Sequence, residues 1–352
     1  MDKIKALVVD DSALMRKIIS DMLTEKGDIE VIDTARNGQD LFEKLKRKTP
    51  DIITLDVEMP IMNGIEALKN LKSENINIPV IMLSSLTKEG AELTMDCLHY
   101  GAFDFVPKPS GGISVDIIKV QDELLLKVRT AYEKYSVKST RVKEIEHKAP
   151  LKIEYVKRTV NSGKINAVVI GASTGGPKAL YSVITNLPKN IGVPVFVVQH
   201  MPVGFTKAFA DRLNSNSEIK VVEATDGEVY EKDVLYIAPG GFHMEIDNRC
   251  IRLNKEPAIW GVRPAVDKLF ISASNIFGSA IVSAVLTGMG KDGAHGTEII
   301  KKNGGVTIAE DESTCVIYGM PRAAYETGAV DYVLPLDRVS NEIVKIVKSY
   351  WI

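Results

Sequence analysis

The sequence predicts an α/β protein with two doubly wound, mainly parallel sheets, one in each half of the chain. Its 352 residues exceed the length of a typical single domain. In both halves, short apolar runs alternate with segments of helical spacing, which is typical of parallel sheets covered by helices. A basic stretch without a sustained apolar period separates the halves. We therefore expect domains at residues 1–126 and 165–352, joined by a helix end and a linker at 127–164.

Composition excludes several classes of protein. Apolar residues make up 45% of the chain and charged residues 26%, as in ordinary globular proteins. The net charge of −2 argues against nucleic acid or an anionic membrane surface as the main partner. No apolar run approaches the length of a membrane span, and three scattered cysteines favour reduced thiols. Because the first strand leaves no room for a signal peptide, we expect a cytoplasmic protein without membrane insertion.

The first half contains five predicted strand–helix units. Its last helix carries a single apolar stripe that includes Ile117, Leu124 and Val128. The predicted strands are Ile4–Val9, Glu30–Thr34, Ile52–Leu55, Val80–Leu83 and Ala102–Val106. The predicted helices are Ala13–Glu25, Gln39–Lys48, Ile65–Lys72, Lys88–His99 and Ser114–Tyr135.

Polar residues follow these strands. Asp10 and Asp11 follow the first strand and Asp56 the third, while Ser84 and Lys108 follow the fourth and fifth. Ligands bind at the carboxyl ends of parallel strands, so we expect these side chains to converge. Three carboxylates form an oxygen-rich site suited to Mg²⁺, and a carboxylate beside Mg²⁺, a lysine and a hydroxyl can accept a phosphoryl group. The alternative is a set of solvated aspartates that cap helices, which would not explain suitable groups at four strand ends.

These residues lie in motifs that resemble a two-component receiver domain, which has a flavodoxin-like fold. The motifs are Val9-Asp-Asp-Ser12, Leu55-Asp-Val-Glu-Met-Pro60 with Asn63-Gly64, Ser84, and Val106-Pro-Lys-Pro109. The resemblance implies a phospho-acceptor at Asp56, phosphoryl contacts from Ser84 and Lys108, and a switch aromatic at Phe105. It also implies Mg²⁺ ligands from Asp10, Asp11, Asp56 and the backbone carbonyl of Glu58.

The linker is basic, with eleven Lys or Arg against four Glu between Lys127 and Lys164. Its first part continues the last helix of the receiver, and the remainder is expected to be an exposed connector. A basic tract of this kind either is solvated or docks on an acidic partner.

The pattern of apolar runs and helical segments in the second half predicts another doubly wound sheet, in a three-layer α/β domain. Strands are predicted at Ala167–Ile170, Val193–Val198, Ala280–Leu286, Val306–Ala309 and Val330–Val333. Helices are predicted at Lys178–Asn186, Thr206–Leu213, Val266–Phe277, 294–302 and Val339–Tyr350. Four short runs between turn residues predict a small antiparallel excursion at Ile219–Glu223, Val234–Ala238, Phe242–Ile246 and Cys250–Leu253.

A turn after the first of these strands matches G-x-S-x-G at Gly171, Ser173 and Gly175. This pattern is typical of a nucleophile on a tight strand-to-helix turn, although a phosphate-binding loop is the alternative. His200 and Asp292 also lie just past predicted strands, so all three share one sheet edge. A serine needs an adjacent base, and the imidazole needs an acceptor that fixes its tautomer.

Backbone N–H groups of Gly288-Met-Gly290 could contribute to an oxyanion hole beside this serine. The other histidines compete less well as the base, since His99 lies in the first half, His147 in the linker, His243 inside a short strand pattern and His295 at a helix start. Four aspartates compete with Asp292 as the orienting acid, but Asp292 alone follows a central strand within a glycine-rich turn; the four are Asp226, Asp247, Asp267 and Asp311. The chain order Ser, His, Asp disfavours an ordinary lipase or esterase.

The second half contains a set of specific motifs besides the three strand-end residues. They are Gly171–Pro177, Gln199-His-Met-Pro202, Gly204-Phe-Thr206, Arg263-Pro264 with Asp267, Leu286–Ala294 and Tyr318-Gly-Met-Pro321. With these motifs, the second half resembles the catalytic domain of the chemotaxis protein-glutamate methylesterases. The resemblance implies that Ser173 is the nucleophile, His200 the base and Asp292 the orienting acid, with Thr174 on the rim and Met289 at the oxyanion hole. Ala265 stands where the family often has Ser.

This resemblance implies hydrolysis of glutamate methyl esters on chemoreceptors without a cofactor for that reaction, and deamidation of receptor glutamines by the same acyl chemistry. The receiver implies phosphorylation by a chemotaxis histidine kinase with Mg²⁺, which we expect to relieve a block on the catalytic face. The alternative is a response regulator whose 171–176 loop binds a phosphorylated or nucleotide ligand without catalysis. A DNA-binding output is disfavoured, since no helix-turn-helix pattern or basic face follows residue 165.

Overall fold

The computed structural model describes residues 3–109, 115–141 and 164–349. The chain divides into two compact units, Met1–Ala149 and Pro150–Ile352, and each is described by itself. Residues 142–163, which include most of the expected linker, lie outside the described residues. No helix in the described ranges is both long and apolar enough to cross a membrane.

The first unit is built on a five-stranded sheet with the order β2-β1-β3-β4-β5, and all its strand pairs are parallel. The order reverses between β1 and β3, which is where ligands bind in doubly wound sheets. The strands are β1 (Ile4–Val9), β2 (Ile29–Ala35), β3 (Ile52–Asp56), β4 (Val80–Ser84) and β5 (Asp104–Pro107). The helices are α1 (Ala13–Thr24), α2 (Gly38–Leu45), α3 (Gly64–Ser73), α4 (Lys88–Tyr100) and α5 (Val115–Arg141).

The second unit is built on a seven-stranded sheet with the order β14-β13-β12-β6-β7-β9-β8, again with every pair parallel. The strands are β6 (Ala167–Ala172), β7 (Val195–Gln199), β8 (Lys220–Glu223), β9 (Val234–Ile237), β12 (Ile281–Val285), β13 (Val306–Glu310) and β14 (Tyr332–Leu334). The helices are α6 (Gly176–Ile184), α7 (Phe205–Asn216), α8 (Val266–Phe277), α9 (Ala294–Lys302), α10 (Met320–Glu326) and α11 (Leu336–Ser349). The fold class predicted from the sequence is confirmed in both units.

The antiparallel excursion is smaller than predicted. Only β10 (His243–Asp247) and β11 (Cys250–Asn254) form an antiparallel pair, whereas β8 and β9 extend the main sheet in parallel. Apolar runs between turns do not reveal strand direction, which tertiary packing decides here. On β9, Tyr236 stacks on Phe196 of β7 with ring centroids 5.7 Å apart, and both side chains are buried.

Helix α10 was not predicted, because its seven residues are too few to show a helical apolar period. Pro321 lies in its first turn, where a missing N–H costs no helical hydrogen bond. The closing helix spans Leu336–Ser349 and so begins three residues before the predicted start.

Helices α8 and α9 pack against central strands of the second sheet and approach each other closely. Gly296 on α9 lies against Phe270 on α8, which is fully buried in the core, and a Cβ atom at Gly296 would clash with the Phe270 Cβ. The absence of a side chain at this position therefore sets how closely the two helices pack.

We predict that Gly296→Ala destabilises the second unit, although alanine is the better helix former by about 1 kcal/mol. Overpacking against Phe270 is expected to lower the free energy of unfolding by a net of about 2 kcal/mol. Both tryptophans of the chain, Trp260 and Trp351, lie in this half of the sequence, so their fluorescence in urea reports its unfolding. The exposed α9 substitution Lys302→Ala should stay within about 0.5 kcal/mol of the parent. A more stable Gly296→Ala protein would contradict the prediction.

Candidate active site and phosphoryl-acceptor site

The carboxylates of Asp10, Asp11 and Asp56 form one cluster at the carboxyl edge of the first sheet. One oxygen atom from each lies within 4.8 Å of the others. Asp10 and Asp56 are buried and Asp11 is exposed. Carboxylate oxygens at this spacing fit a hard divalent cation such as Mg²⁺, with the exposed Asp11 on the solvent side.

Lys108 offsets part of the charge in this cluster. Its Nζ lies 2.8 Å from Asp10 Oδ2 and 2.7 Å from Asp56 Oδ2. Burial raises the pKa of Asp56 to about 6, against the lowering effect of Lys108. Burial tends to lower the pKa of Lys108, but the two carboxylates outweigh it and raise that pKa. The cluster therefore carries excess negative charge that a cation would stabilise.

Ser84 and Phe105 contact helices α4 and α5, respectively. The Ser84 hydroxyl contacts the carbonyl oxygen of Gly90 at 3.1 Å and accepts a hydrogen bond from Thr94 at 2.6 Å. Phe105 is buried, and the Lys127 ammonium on α5 lies 5.3 Å from its ring centroid. Lys127 also donates a hydrogen bond to the Phe105 carbonyl oxygen, at 2.6 Å. Both side chains therefore face helices that flank the sheet edge.

In the second unit, Ser173 and His200 lie side by side on neighbouring strands. Ala172 at the end of β6 pairs with Gln199 at the end of β7, so the next residue on each strand is Ser173 and His200. The backbone N–H of His200 donates to the Ala172 carbonyl oxygen at 3.1 Å, and the backbone N–H of Ser173 donates to the Thr287 carbonyl oxygen at 3.0 Å. Strand register therefore places the hydroxyl and the imidazole at one edge.

Asp292 reaches His200 from the other side of β6, since it follows β12 and the strand order is β12-β6-β7. The His200 Nε2 atom lies 2.8 Å from Asp292 Oδ2. Because an ionised carboxylate only accepts hydrogen bonds, we assign the ring proton to Nε2, which leaves Nδ1 as the nitrogen that can accept a proton. No hydrogen bond joins the Ser173 hydroxyl to His200 within the described ranges. The structure thus brings acid and base into contact and sets the serine beside them.

The Asp292 carboxylate is also held by backbone at the start of α8. Its Oδ2 accepts the Val266 N–H at 2.6 Å, and its Oδ1 accepts the Asp267 N–H at 2.9 Å. Burial raises the pKa of Asp292, but the hydrogen bonds from His200 and from these N–H groups outweigh it, and the net pKa is below the ordinary value. Asp292 therefore stays ionised near neutral pH and can stabilise an imidazolium.

The turn that carries Ser173 depends on glycine at two places. Gly175, which precedes α6, has φ 76°, a left-handed conformation that glycine adopts without strain. Gly288 packs directly on the nucleophile turn, and a Cβ atom there would lie 2.8 Å from the Ser173 Cβ. The loop after β12 can approach the serine only because Gly288 lacks a side chain.

Some backbone N–H groups around Ser173 already donate a hydrogen bond within the protein, and others do not. The Gly288 N–H donates to the Ile317 carbonyl oxygen at 3.2 Å and therefore already has an acceptor in this structure. In the described part of the chain, the N–H groups of Thr174 and Met289 make no hydrogen bond within the protein. Thr174 directly follows the serine, the usual source of one oxyanion-hole donor in such turns.

Two buried residues that support the site were not predicted to have a role. Gln199 Nε2 donates to the carbonyl oxygens of Ser173 at 2.9 Å and His200 at 3.1 Å. Glu310, the last residue of β13, accepts the Thr287 N–H at 2.7 Å through Oε2. A carboxylate at the end of a parallel strand is the same signal that identified Asp56, so Glu310 could have been found from the sequence.

His243 competed with His200 as the possible base, and its surroundings are structural. It is fully buried in β10, its Nε2 contacts the Pro257 carbonyl oxygen at 3.1 Å, and its Nδ1 accepts the Ala265 N–H at 3.2 Å. Both ring nitrogens are therefore used in holding the loop before α8.

We predict that Gln199→Met lowers the free energy of unfolding of the second unit by about 2 kcal/mol. Methionine has a similar shape, but it leaves two backbone carbonyl groups without a buried donor. Urea unfolding followed by tryptophan fluorescence measures the loss. Lys178→Met, on the exposed side of α6, introduces the same residue without removing a buried hydrogen bond. Equal stability of the two variants would mean that Gln199 does not support the turn.

Both halves of the chain match known protein families. Residues 168–343 match the family model "CheB methylesterase", and residues 6–115 match "Response regulator receiver domain". The chain is 62% identical to the protein-glutamate methylesterase/protein-glutamine glutaminase of Clostridium acetobutylicum, over 99% of each chain. It is 46% identical to the protein of the same description in Pyrococcus horikoshii, over 98% of this chain and 94% of that one.

Among solved structures, the second unit is similar to the CheB methylesterase catalytic domain of Thermotoga maritima. The two are 47% identical with a TM-score of 0.51, and the match covers 53% of this chain and all of that one. Both predicted resemblances are confirmed. The chain therefore belongs to the CheB methylesterase family and carries a response regulator receiver domain ahead of the methylesterase domain.

Proposed function

We propose that this enzyme hydrolyses glutamate methyl esters on chemoreceptors, with Ser173 as nucleophile, His200 as base and Asp292 as orienting acid. The observation that carries the proposal is the 2.8 Å contact between His200 and Asp292, at the strand end next to the one that bears Ser173. A phosphate-binding loop would give no reason for an acid–imidazole pair at this position. Deamidation of receptor glutamines follows from the same acyl chemistry, with ammonia as the leaving group.

The reaction proceeds through an acyl-enzyme. His200 Nδ1 takes the proton of the Ser173 hydroxyl as the oxygen attacks the ester carbonyl, and methanol leaves with that proton. Water then hydrolyses the glutamyl-serine ester with His200 again as base. Asp292 stays ionised and stabilises the imidazolium in both halves of the reaction. No cofactor takes part in these steps.

The oxyanion of the tetrahedral intermediate is assigned to the N–H groups of Thr174 and Met289. Both are free of hydrogen bonds within the described protein, and they belong to the two loops that Gly288 allows to meet. Because the donors are backbone N–H groups, neither residue needs a particular side chain for this role. Loss of one such donor typically raises the barrier of the reaction by about 3 kcal/mol.

The receiver regulates this activity through phosphorylation of Asp56 by a chemotaxis histidine kinase. Asp10, Asp11, Asp56 and the backbone carbonyl of Glu58 would hold Mg²⁺, which neutralises charge on the transferring phosphoryl group. Lys108, already paired with Asp56, is placed to contact a phosphoryl oxygen. Ser84 contacts Thr94 on α4 and Phe105 contacts Lys127 on α5, and both would reorient on phosphorylation, as switch residues do. Cys97, Cys250 and Cys315 form no disulfide with one another, which suits a reducing cytoplasm.

The test of the hydrolase is methanol release from methylated chemoreceptor membranes. Ser173→Ala should lower the rate by about 1000-fold or more, because it removes the attacking atom. Ser182→Ala, on the adjoining helix α6, is the matched control and should keep the parent rate. A Ser173→Ala protein that released methanol at the parent rate would refute the assignment of the nucleophile. If the parent released no methanol, the proposed activity itself would be wrong.

We also predict that millimolar Mg²⁺ stabilises the receiver. Preferential binding to the folded cluster should raise its free energy of unfolding by about 1 kcal/mol at a few times the dissociation constant. Circular dichroism in urea, at ionic strength balanced with NaCl, measures the change. Asp11→Asn should remove most of it without disturbing the core, because Asp11 is exposed. Asp21→Asn, on the exposed side of α1, should leave the Mg²⁺ effect intact. Equal stabilisation of both variants would rule out this cluster.

A further inference from the structure

Helices α8 and α9 begin without caps of their own. Ala265, the residue before α8, has no side-chain oxygen, and Gly293, the residue before α9, has no side chain. Neither helix start has a side-chain cap hydrogen bond from its own N-cap residue. The first N–H groups of a helix need acceptors, and burial makes an unmade bond costly.

Each helix start is capped by an aspartate from the other. Asp292, just before α9, accepts the N–H groups of Val266 and Asp267 at the start of α8. Asp267, in the first turn of α8, accepts the N–H groups of Gly293 at 3.0 Å and Gly296 at 2.8 Å. Both N–H groups donate to the same atom, Asp267 Oδ1. The two carboxylates thus exchange caps across the α8–α9 contact.

This exchange couples Asp267 to the triad. Gly293 directly follows Asp292, so the bond from its N–H to Asp267 restrains the backbone that carries the Asp292 carboxylate. The Asp267 side chain is itself buried. Burial raises the pKa of Asp267, the N–H of Gly296 lowers it, and the charge of Asp292 raises it further. Two neighbouring buried carboxylates repel each other, and the hydrogen bonds from the helix starts offset this repulsion.

We propose that Asp267 is a positioning residue for the hydrolysis, which holds Asp292 at hydrogen-bond distance from His200 by capping α9. Its role is to accept hydrogen bonds through Oδ1, and its charge is not required. The expected effect on the rate rests on the proposed function, whereas the restraint on His200 can be observed without any substrate. Catalytic geometry is sensitive to displacements of about 1 Å, which can cost about 100-fold in rate.

Two variants at Asp267 separate hydrogen bonding from charge. Asp267→Asn keeps an oxygen that can accept the N–H groups of Gly293 and Gly296, whereas Asp267→Ala removes it. For methanol release from methylated receptor membranes, we expect Asp267→Ala to lower kcat by about 10-fold or more with KM nearly unchanged. Asp267→Asn should keep kcat within about threefold of the parent.

A control separates positioning from general destabilisation. Phe270→Leu weakens the packing of α8 against α9 but leaves both carboxylates in place. Measured well below the unfolding midpoint of every variant, Phe270→Leu should keep the parent kcat. If it lost activity as Asp267→Ala does, the loss would reflect stability alone, and the proposal would be overturned.

The second readout is the imidazole nitrogen spectrum of His200 by long-range ¹H–¹⁵N NMR on the full chain. In the parent and in Asp267→Asn, the ring should be the Nε2-protonated tautomer, hydrogen-bonded to Asp292. In Asp267→Ala, this signature should give way to mixed tautomers. An unchanged spectrum and kcat in Asp267→Ala, or a 10-fold loss of kcat in Asp267→Asn, would overturn the proposal. If the parent lacked esterase activity, the proposed function would fail, while the spectra would still decide whether Asp267 restrains His200.

Discussion

The active site of the second unit depends on the hydrogen bonds that one buried carboxylate, that of Asp292, accepts. Asp292 is ionised within the protein and accepts bonds from the His200 ring and from two backbone N–H groups at the start of α8. A buried charge is tolerated only when such bonds satisfy it. The start of α8, the loop after β12 and the end of β7 therefore have to meet at one point. The position of the imidazole follows from that meeting, and its free nitrogen is left for Ser173.

The two units use one geometric rule for different chemistry. Parallel strands deliver the residues that follow them to a common edge, so side chains far apart in sequence become neighbours. In the receiver the edge collects carboxylates and a lysine, and the excess negative charge suits a cation and a phosphoryl group. In the methylesterase domain it collects a hydroxyl, an imidazole and one carboxylate, which suit acyl transfer. The difference lies in which side chains follow the strands.

Much of this arrangement could be predicted from the sequence. Apolar runs of strand length between helical segments located the parallel strands of both sheets, because buried strands need continuous apolar residues. Strand ends then identified Ser173, His200 and Asp292 before any distance was known. The directions of β8 and β9 could not be predicted, since a short apolar run looks the same in a parallel or an antiparallel pair. Helix α10 was missed because its length shows no period.

The sequence by itself determined the chemistry available, since it sets which nucleophile, base, acid and metal ligands follow which strands. Only the tertiary structure decided which backbone groups are free to bind an oxyanion, which ring nitrogen of His200 faces Asp292, and that α8 and α9 exchange caps through Asp267 and Asp292. These features depend on hydrogen bonds between segments distant in the chain. Such bonds form wherever packing brings donor and acceptor together, and no local pattern of residues encodes that meeting.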